Sequence, residues 1–121
     1  MKITDLLGEA TEYDKKQAVE HKKVKSWLKS VSAFANTAGG TLIFGITDGE
    51  EFVGLKDIKY DSEFISQKIK ERISPFPEVI MKLRKTEDEK NLLLLYVPAG
   101  AETPYYYTGD GVTAVSYTHL T

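Results

Sequence analysis

Four carboxylates and a run of lysines are the side chains best placed to do chemistry in this chain. Glu9, Glu12 and Asp14 lie in one short stretch and Asp48 in a separate segment. Hard oxygen ligands of this kind can share a divalent cation, which in turn can activate water or steady a leaving oxygen on phosphate. The same acids also suit a plain surface, and Asp48 before Gly49 suits a plain turn. Lysines crowd between Lys15 and Lys29. Lys22, Lys23 and Lys25 fall near the start of a helical pattern, where the helix dipole already presents positive charge. A bound phosphate would relieve that repulsion, whereas a solvated face partly offset by Glu20 would merely tolerate it.

Other residues carry weaker signals. Gly39, Gly40, Gly45, Gly49 and Gly54 match neither the P-loop nor the dinucleotide spacing. They follow the negative end of a helix, so a cap, a turn and close packing explain them better than a phosphate cradle. In Tyr105-Tyr106-Tyr107, alternation puts Tyr105 and Tyr107 on one face, fit either to pack on a sheet or to stack on unpaired bases. His21 and His119 lack any ligand spacing, and no nucleophile elbow is present.

The elements that must position these groups are legible as periodicities. A short helix fits 1–8, with Thr4 as cap and Gly8 as stop, and a short edge strand fits Thr11 to Lys16. From about Val19 to Ala38, Val24, Trp27, Leu28, Val31, Phe34 and Ala35 form one apolar helical stripe. Lys22, Lys25 and Lys29 share another face of it. Thr41 to Ile46 reads as a strand covered on both sides, and Gly45 within it predicts a close backbone approach. Asp48-Gly49 turns into a short return strand, Phe52 to Leu55. A second helix, capped by Asp61 or Ser62, presents Phe64, Ile65, Ile69 and Ile73 and stops at Pro75. Strands follow at Glu78 to Lys85, with Val79, Met81 and Leu83 on one side, and at Leu92 to Val97. A terminal hairpin joins Pro104–Tyr107 to Val112–Tyr117. The expected fold is α+β: an Alba-like mixed sheet with helices mainly on one face, plus that hairpin.

At 121 residues this is one domain. With no cysteine, disulfides and thiolate sites are excluded and a reducing, cytoplasmic setting fits. There is no apolar run near the ~20 residues of a membrane span, and none at the start that resembles a signal peptide. A net charge of −2 argues against coating nucleic acid by bulk charge, while leaving room for a local basic patch.

The segment SVSAFANTAGGTLIFGITDGEEFVGL resembles the signature of the Schlafen/AlbA-type DNA-binding domain family, earlier catalogued as a divergent AAA ATP-binding family. Glu9 to Lys16, Phe34-Ala35-Asn36-Thr37 with Gly39-Gly40, Gly45-Ile46-x-Asp48 and Thr103 to Tyr107 carry the likeness, over about residues 5–113. The resemblance implies nucleic-acid handling, as in bacterial transcriptional regulators and helicase-related proteins. It also implies a metal-dependent RNA endonuclease as the alternative, with a Glu-x4-Glu pair and a distant Asp as metal ligands. Here Glu9 and Asp14 hold that spacing and Asp48 the third place, with Asp replacing the second Glu. No Walker motif supports ATP. Where the family continues through aromatic-x-Arg-x-Gly, this chain reads Val115 to Thr121, which suggests a truncated or non-native tail and a missing C-terminal domain.

The leading expectation is a nucleic-acid-binding module in which Lys22, Lys25 and Lys29 contact phosphates with Lys15 and Lys16 nearby, needing no cofactor. Under the nuclease alternative, Glu9, Asp14 and Asp48 are both catalytic and metal-binding, with Mg or Mn. A third alternative is a protein-interaction or homodimerisation domain.

Overall fold

The computed structural model describes residues 12–108. Strand β1 (Tyr13–Lys16) runs parallel to β2 (Gly39–Phe44), and helix α1 (Lys25–Ala35) forms the crossover that a parallel pair requires. Helix α2 (Ile58–Arg72) follows, then the two-residue strand β3 (Ile73–Ser74). Strands β4 (Ile80–Lys85) and β5 (Asn91–Pro98) are antiparallel, and β6 (Tyr106–Tyr107) pairs with β3. The main sheet has the order β1-β2-β5-β4, so β2 and β5 are central and antiparallel to each other. This is the expected α+β architecture.

Both helices lie on one face of the sheet. Trp27, Leu28, Val31 and Ala35 of α1, with Ile65 and Ile69 of α2, pack on Leu42, Phe44, Leu93, Leu95 and Val97. Trp27 meets Phe44 edge to face, with centroids 5.9 Å apart, a geometry in which the positive ring edge faces the negative ring face. All six residues of β2 are buried. Its alternation sends Ile43 to the opposite face, into a smaller cluster with Ile46, Leu92, Leu94 and Phe52. Gly45 ends this strand at φ +106°. Its carbonyl accepts from the N–H groups of Val53 at 2.8 Å and Gly54 at 2.9 Å, the close backbone approach that a glycine within the run predicts.

Several boundaries differ from the periodic reading. The helical stripe starts at Lys25, and 17–24 is irregular. Tertiary bonds hold that segment out of the helix: Trp27 Nε1 donates to the Glu20 carbonyl at 3.0 Å, and His21 bonds to α2. Strand β2 starts at Gly39, because both glycines already join the ladder with β5. The cap of α2 is Asp57, whose Oδ1 accepts from Tyr60 N at 3.1 Å. Asp61 instead turns inward. The return strand is a single bridge between Ile46 and Phe52. The expected helix over 1–8, Thr11 of the first strand, and the Val112–Tyr117 arm lie outside the described residues.

Asn36 ties the end of α1 to the last described strand. Its Nδ2 donates to the Tyr105 carbonyl at 2.9 Å and its Oδ1 accepts from Tyr105 N at 2.6 Å. An amide side chain here mimics a strand partner, satisfying a backbone donor and acceptor that would otherwise compete for water. Replacing Asn36 with Ala removes both bonds and should cost about 2 kcal/mol of stability in urea denaturation. It should also speed amide exchange at Tyr105. Unchanged exchange there would show that Asn36 does not hold the segment.

Candidate nucleic-acid interface

The lysines expected to meet phosphate separate into two groups. Lys22 and Lys23 sit on the irregular segment before α1, Lys25 is its first residue, and Lys29 follows one turn later; all four are exposed. Only Lys25 and Lys29 share a helical face, because Lys22 precedes the helix. Lys25 Nζ lies 5.7 Å from the centre of the Tyr107 ring, within cation–π range. Among the described residues, none of Lys22, Lys23 and Lys29 forms an ion pair. Helix α1 has no acidic residue in its first turn, and its N-cap position, Val24, makes no side-chain capping bond. The N–H groups of Ser26 and Trp27 are bonded to the carbonyls of Lys23 and Val24 at 3.0 and 3.2 Å, so what stands beside these cations is the positive end of the helix dipole with no first-turn acid to offset it.

Lys15 and Lys16 point to opposite faces of the sheet and both are engaged. Lys15 Nζ donates to the Asp48 carbonyl at 2.7 Å and lies 3.5 Å from a Glu50 carboxylate oxygen. It thereby fastens the 47–50 turn to β1. Lys16 Nζ lies 3.4 Å from Asp14 Oδ2, which also accepts from Ser30 Oγ of α1 at 2.8 Å.

The acids expected to bind metal are therefore only partly placed. Asp14 faces α1 and is held by Ser30 and Lys16. Asp48 occupies an exposed turn in which Glu50, not Gly49, takes the left-handed conformation, at φ 65°. Glu12 is exposed, and Glu9 lies outside the described residues. Among the described residues, no group of three or more histidine and carboxylate side chains is placed to hold a metal ion. Hydrogen bonds from Gln67, then Lys68, hold the exposed Glu71 carboxyl below its usual value.

Sequence spacing gives no sign of the pairing between His21 and Asp61, which stand 40 residues apart. His21 Nε2 lies 2.8 Å from Asp61 Oδ1, and its ring rests on Phe64 with centroids 4.2 Å apart. Both residues line a cleft of about 490 Å³ with Gln17, Val19, Leu55 and Tyr60. The role that the geometry gives this pair is positional: it anchors the segment carrying Lys22 and Lys23 to α2. A cycle of His21→Ala, Asp61→Ala and the double variant should yield a coupling of about 1–2 kcal/mol in urea denaturation. Additive effects would show that the pair does not fasten the segment.

Comparison with known proteins agrees with this architecture. The profile of the family described as Schlafen, AlbA_2 matches residues 9–118. The fold is similar to the N-terminal domain of an ATP-dependent DNA helicase RecG-related protein from Nitrosomonas europaea. The TM-score is 0.65 at 24% identity, covering 90% of this chain and 78% of that one. It is also similar to the DIP2311 protein from Corynebacterium diphtheriae, with a TM-score of 0.54 at 26% identity, over 84% of this chain but 20% of that longer one. No curated protein matches. Among the described residues, no helix is long and apolar enough to cross a membrane.

Proposed function

Because the chain belongs to the Schlafen AlbA_2 family, we propose that it is a nucleic-acid-binding module whose phosphate contacts come from Lys22, Lys25 and Lys29. The observation that carries this reading is the start of α1: exposed lysines, no acid in the first turn, and no side-chain cap. Repulsion between these cations and the dipole weakens the free domain slightly, and a bound phosphate oxyanion would reverse the sign of that effect. Lys23 belongs to the same group by position. Lys15 and Lys16 contribute less, because carboxylates already face them. The family resemblance extends the reading to a module of a bacterial transcriptional regulator acting in the cytoplasm.

The metal-dependent nuclease is the less supported alternative. Asp14 is already hydrogen-bonded to Ser30 and lies beside Lys16, which favours a structural use of its carboxylate over metal ligation. On this reading the module needs neither Mg, Mn nor ATP to bind.

The test is a gel-shift panel of double- and single-stranded DNA and RNA, with and without divalent metal. Changing Lys22 and Lys25 together to Glu should abolish duplex binding. Changing both to Ala should lower the log–log salt slope on duplex DNA by about 1.8, two contacts at the duplex coefficient. Duplex affinity that survives the charge reversal would exclude this surface. Manganese-dependent cleavage of structured RNA, lost in Asp14→Asn, would favour the nuclease instead.

A further inference from the structure

The sheet has a second face, turned away from the helices, and its cross-strand register sets out a second kind of surface. Tyr13 is level with Thr41, Thr41 with Tyr96, and Tyr96 with Ile80. One row therefore crosses all four strands. Neighbouring strands lie ~4.8 Å apart, so the two tyrosines stand ~10 Å from one another on either side of Thr41. Tyr13, Tyr96 and Ile80 are 38%, 42% and 43% exposed. Three large side chains thus share one partly exposed row, on either side of the buried Thr41.

The charged ladder positions on this face are all basic. Along β4, period-two alternation places Lys82 and Arg84 on the same face as Ile80, at successive steps of ~6.8 Å. Both are exposed. Neither forms an ion pair among the described residues, and Arg84 makes only a 3.2 Å bond to the neighbouring Leu83 carbonyl. No ladder position on this face carries an acid. Two carboxylates flank it: Glu78 is exposed two residues before Ile80, and Glu50 is held by Lys15 on the hairpin that closes the far end of the face over Ile43 and Leu92.

We infer that this face is a binding platform for single-stranded nucleic acid, with bases stacked on Tyr96 and Tyr13 and phosphates running beside Lys82 and Arg84. The inference rests on the nucleic-acid reading for its class of ligand but uses the side of the sheet opposite the α1 lysines. A duplex keeps its bases stacked inside and offers such a surface only phosphate. A single strand offers the flat apolar rings that exposed tyrosines can receive, and stacking needs no particular sequence because every base has a π-face. The cations beside the ring row match a backbone that must pass alongside its bases. A purely acidic or a purely apolar protein segment would complement either the lysine and arginine or the aromatic row, but not both.

The test uses the full chain and fluorescein-labelled dodecamers of dT and rU, followed by anisotropy at several salt concentrations. A 12-base-pair duplex and a strand carrying 2-aminopurine complete the set. Tyr96→Ala should weaken single-strand binding about tenfold, within the range of one lost base–aromatic stack, and leave duplex binding unchanged. Tyr96→Phe should bind like the parent, since the ring persists. The 2-aminopurine strand should be quenched on binding by the parent and by Tyr96→Phe, and not by Tyr96→Ala. Changing Lys82 and Arg84 to Ala should lower the single-strand salt slope by about 1.4, two contacts at the single-strand coefficient. All substituted side chains are exposed, and melting curves matching the parent would confirm folding.

Parental single-strand affinity in both the Tyr96→Ala and the Lys82/Arg84 variants overturns the platform. If binding then disappears only in the Lys22/Lys25 reversal, the module still binds nucleic acid, through α1 alone. If the parent binds neither strand nor duplex at 50 mM salt, both readings fall together.

Discussion

Double burial of β2 is the constraint from which the remaining geometry follows. A strand enclosed on both faces has no polar outlet, so its side chains must be apolar or small and its backbone must be fully paired. Thr41 to Phe44 supply the side chains. Strand β1 on one edge and β5 on the other supply the partners. Leu42 and Phe44 commit one face to the helices, and Ile43 commits the other to the hairpin cluster. Once these are fixed, β1 cannot slip by a residue without exchanging Asp14 and Lys16 for Tyr13 and Lys15 across the sheet. The polar side chains of β1 therefore inherit their positions from an apolar neighbour. Asp14 meets Ser30 because Leu42 meets the core.

The same constraint divides the basic residues. Those around α1 are displayed because the apolar stripe of the helix turns inward, leaving its other side to solvent. Those on β4 are displayed because β4 is the outer strand of the described sheet, and its residues are mostly exposed. Charge on an outer strand also discourages unwanted strand pairing, which is a sufficient structural reason for Lys82, Arg84 and Lys85. It does not account for the row of exposed rings beside them. Tyr13, Tyr96 and Ile80 add apolar surface where charge alone would have protected the sheet.

The sequence pattern reveals the core more readily than it reveals how separate segments meet. The stripe from Val24 to Ala35, the buried run Thr41 to Ile46 and the close approach at Gly45 are local signals, carried by spacing or by one residue type. The alternation of β4 is equally local. The 17–24 segment is not, because Trp27 and Asp61 compete with helix formation for its polar groups over distances that periodicity does not measure. The cap of α2 is ambiguous in the sequence for a related reason. Asp57, Asp61 and Ser62 are all good caps, and the choice depends on Asp61 being needed by His21. Asn36 looks like an ordinary helix-stop residue until the Tyr105 backbone, 69 residues away, arrives beside it.

Cation placement shows why density along the chain is a poor guide to a binding surface. The crowded lysines at 15 and 16 are adjacent in sequence, yet they point to opposite faces and are drawn toward acids. Lys82 and Arg84 come from the short basic stretch 82–85, in which Lys85 turns to the other face, and they share a face with two exposed tyrosines that lie far apart in the described chain. Register across a sheet can thus assemble a surface from residues that no linear motif contains, whereas adjacency in a strand separates side chains as surely as distance does. A net charge of −2 is compatible with both basic surfaces, because the field at a site is set by how charge is distributed and not by its sum. At physiological ionic strength the field beyond ~8 Å is largely screened. A phosphate near α1 or β4 therefore responds mainly to the cations beside it, and the overall acidity of the chain has little bearing on either surface.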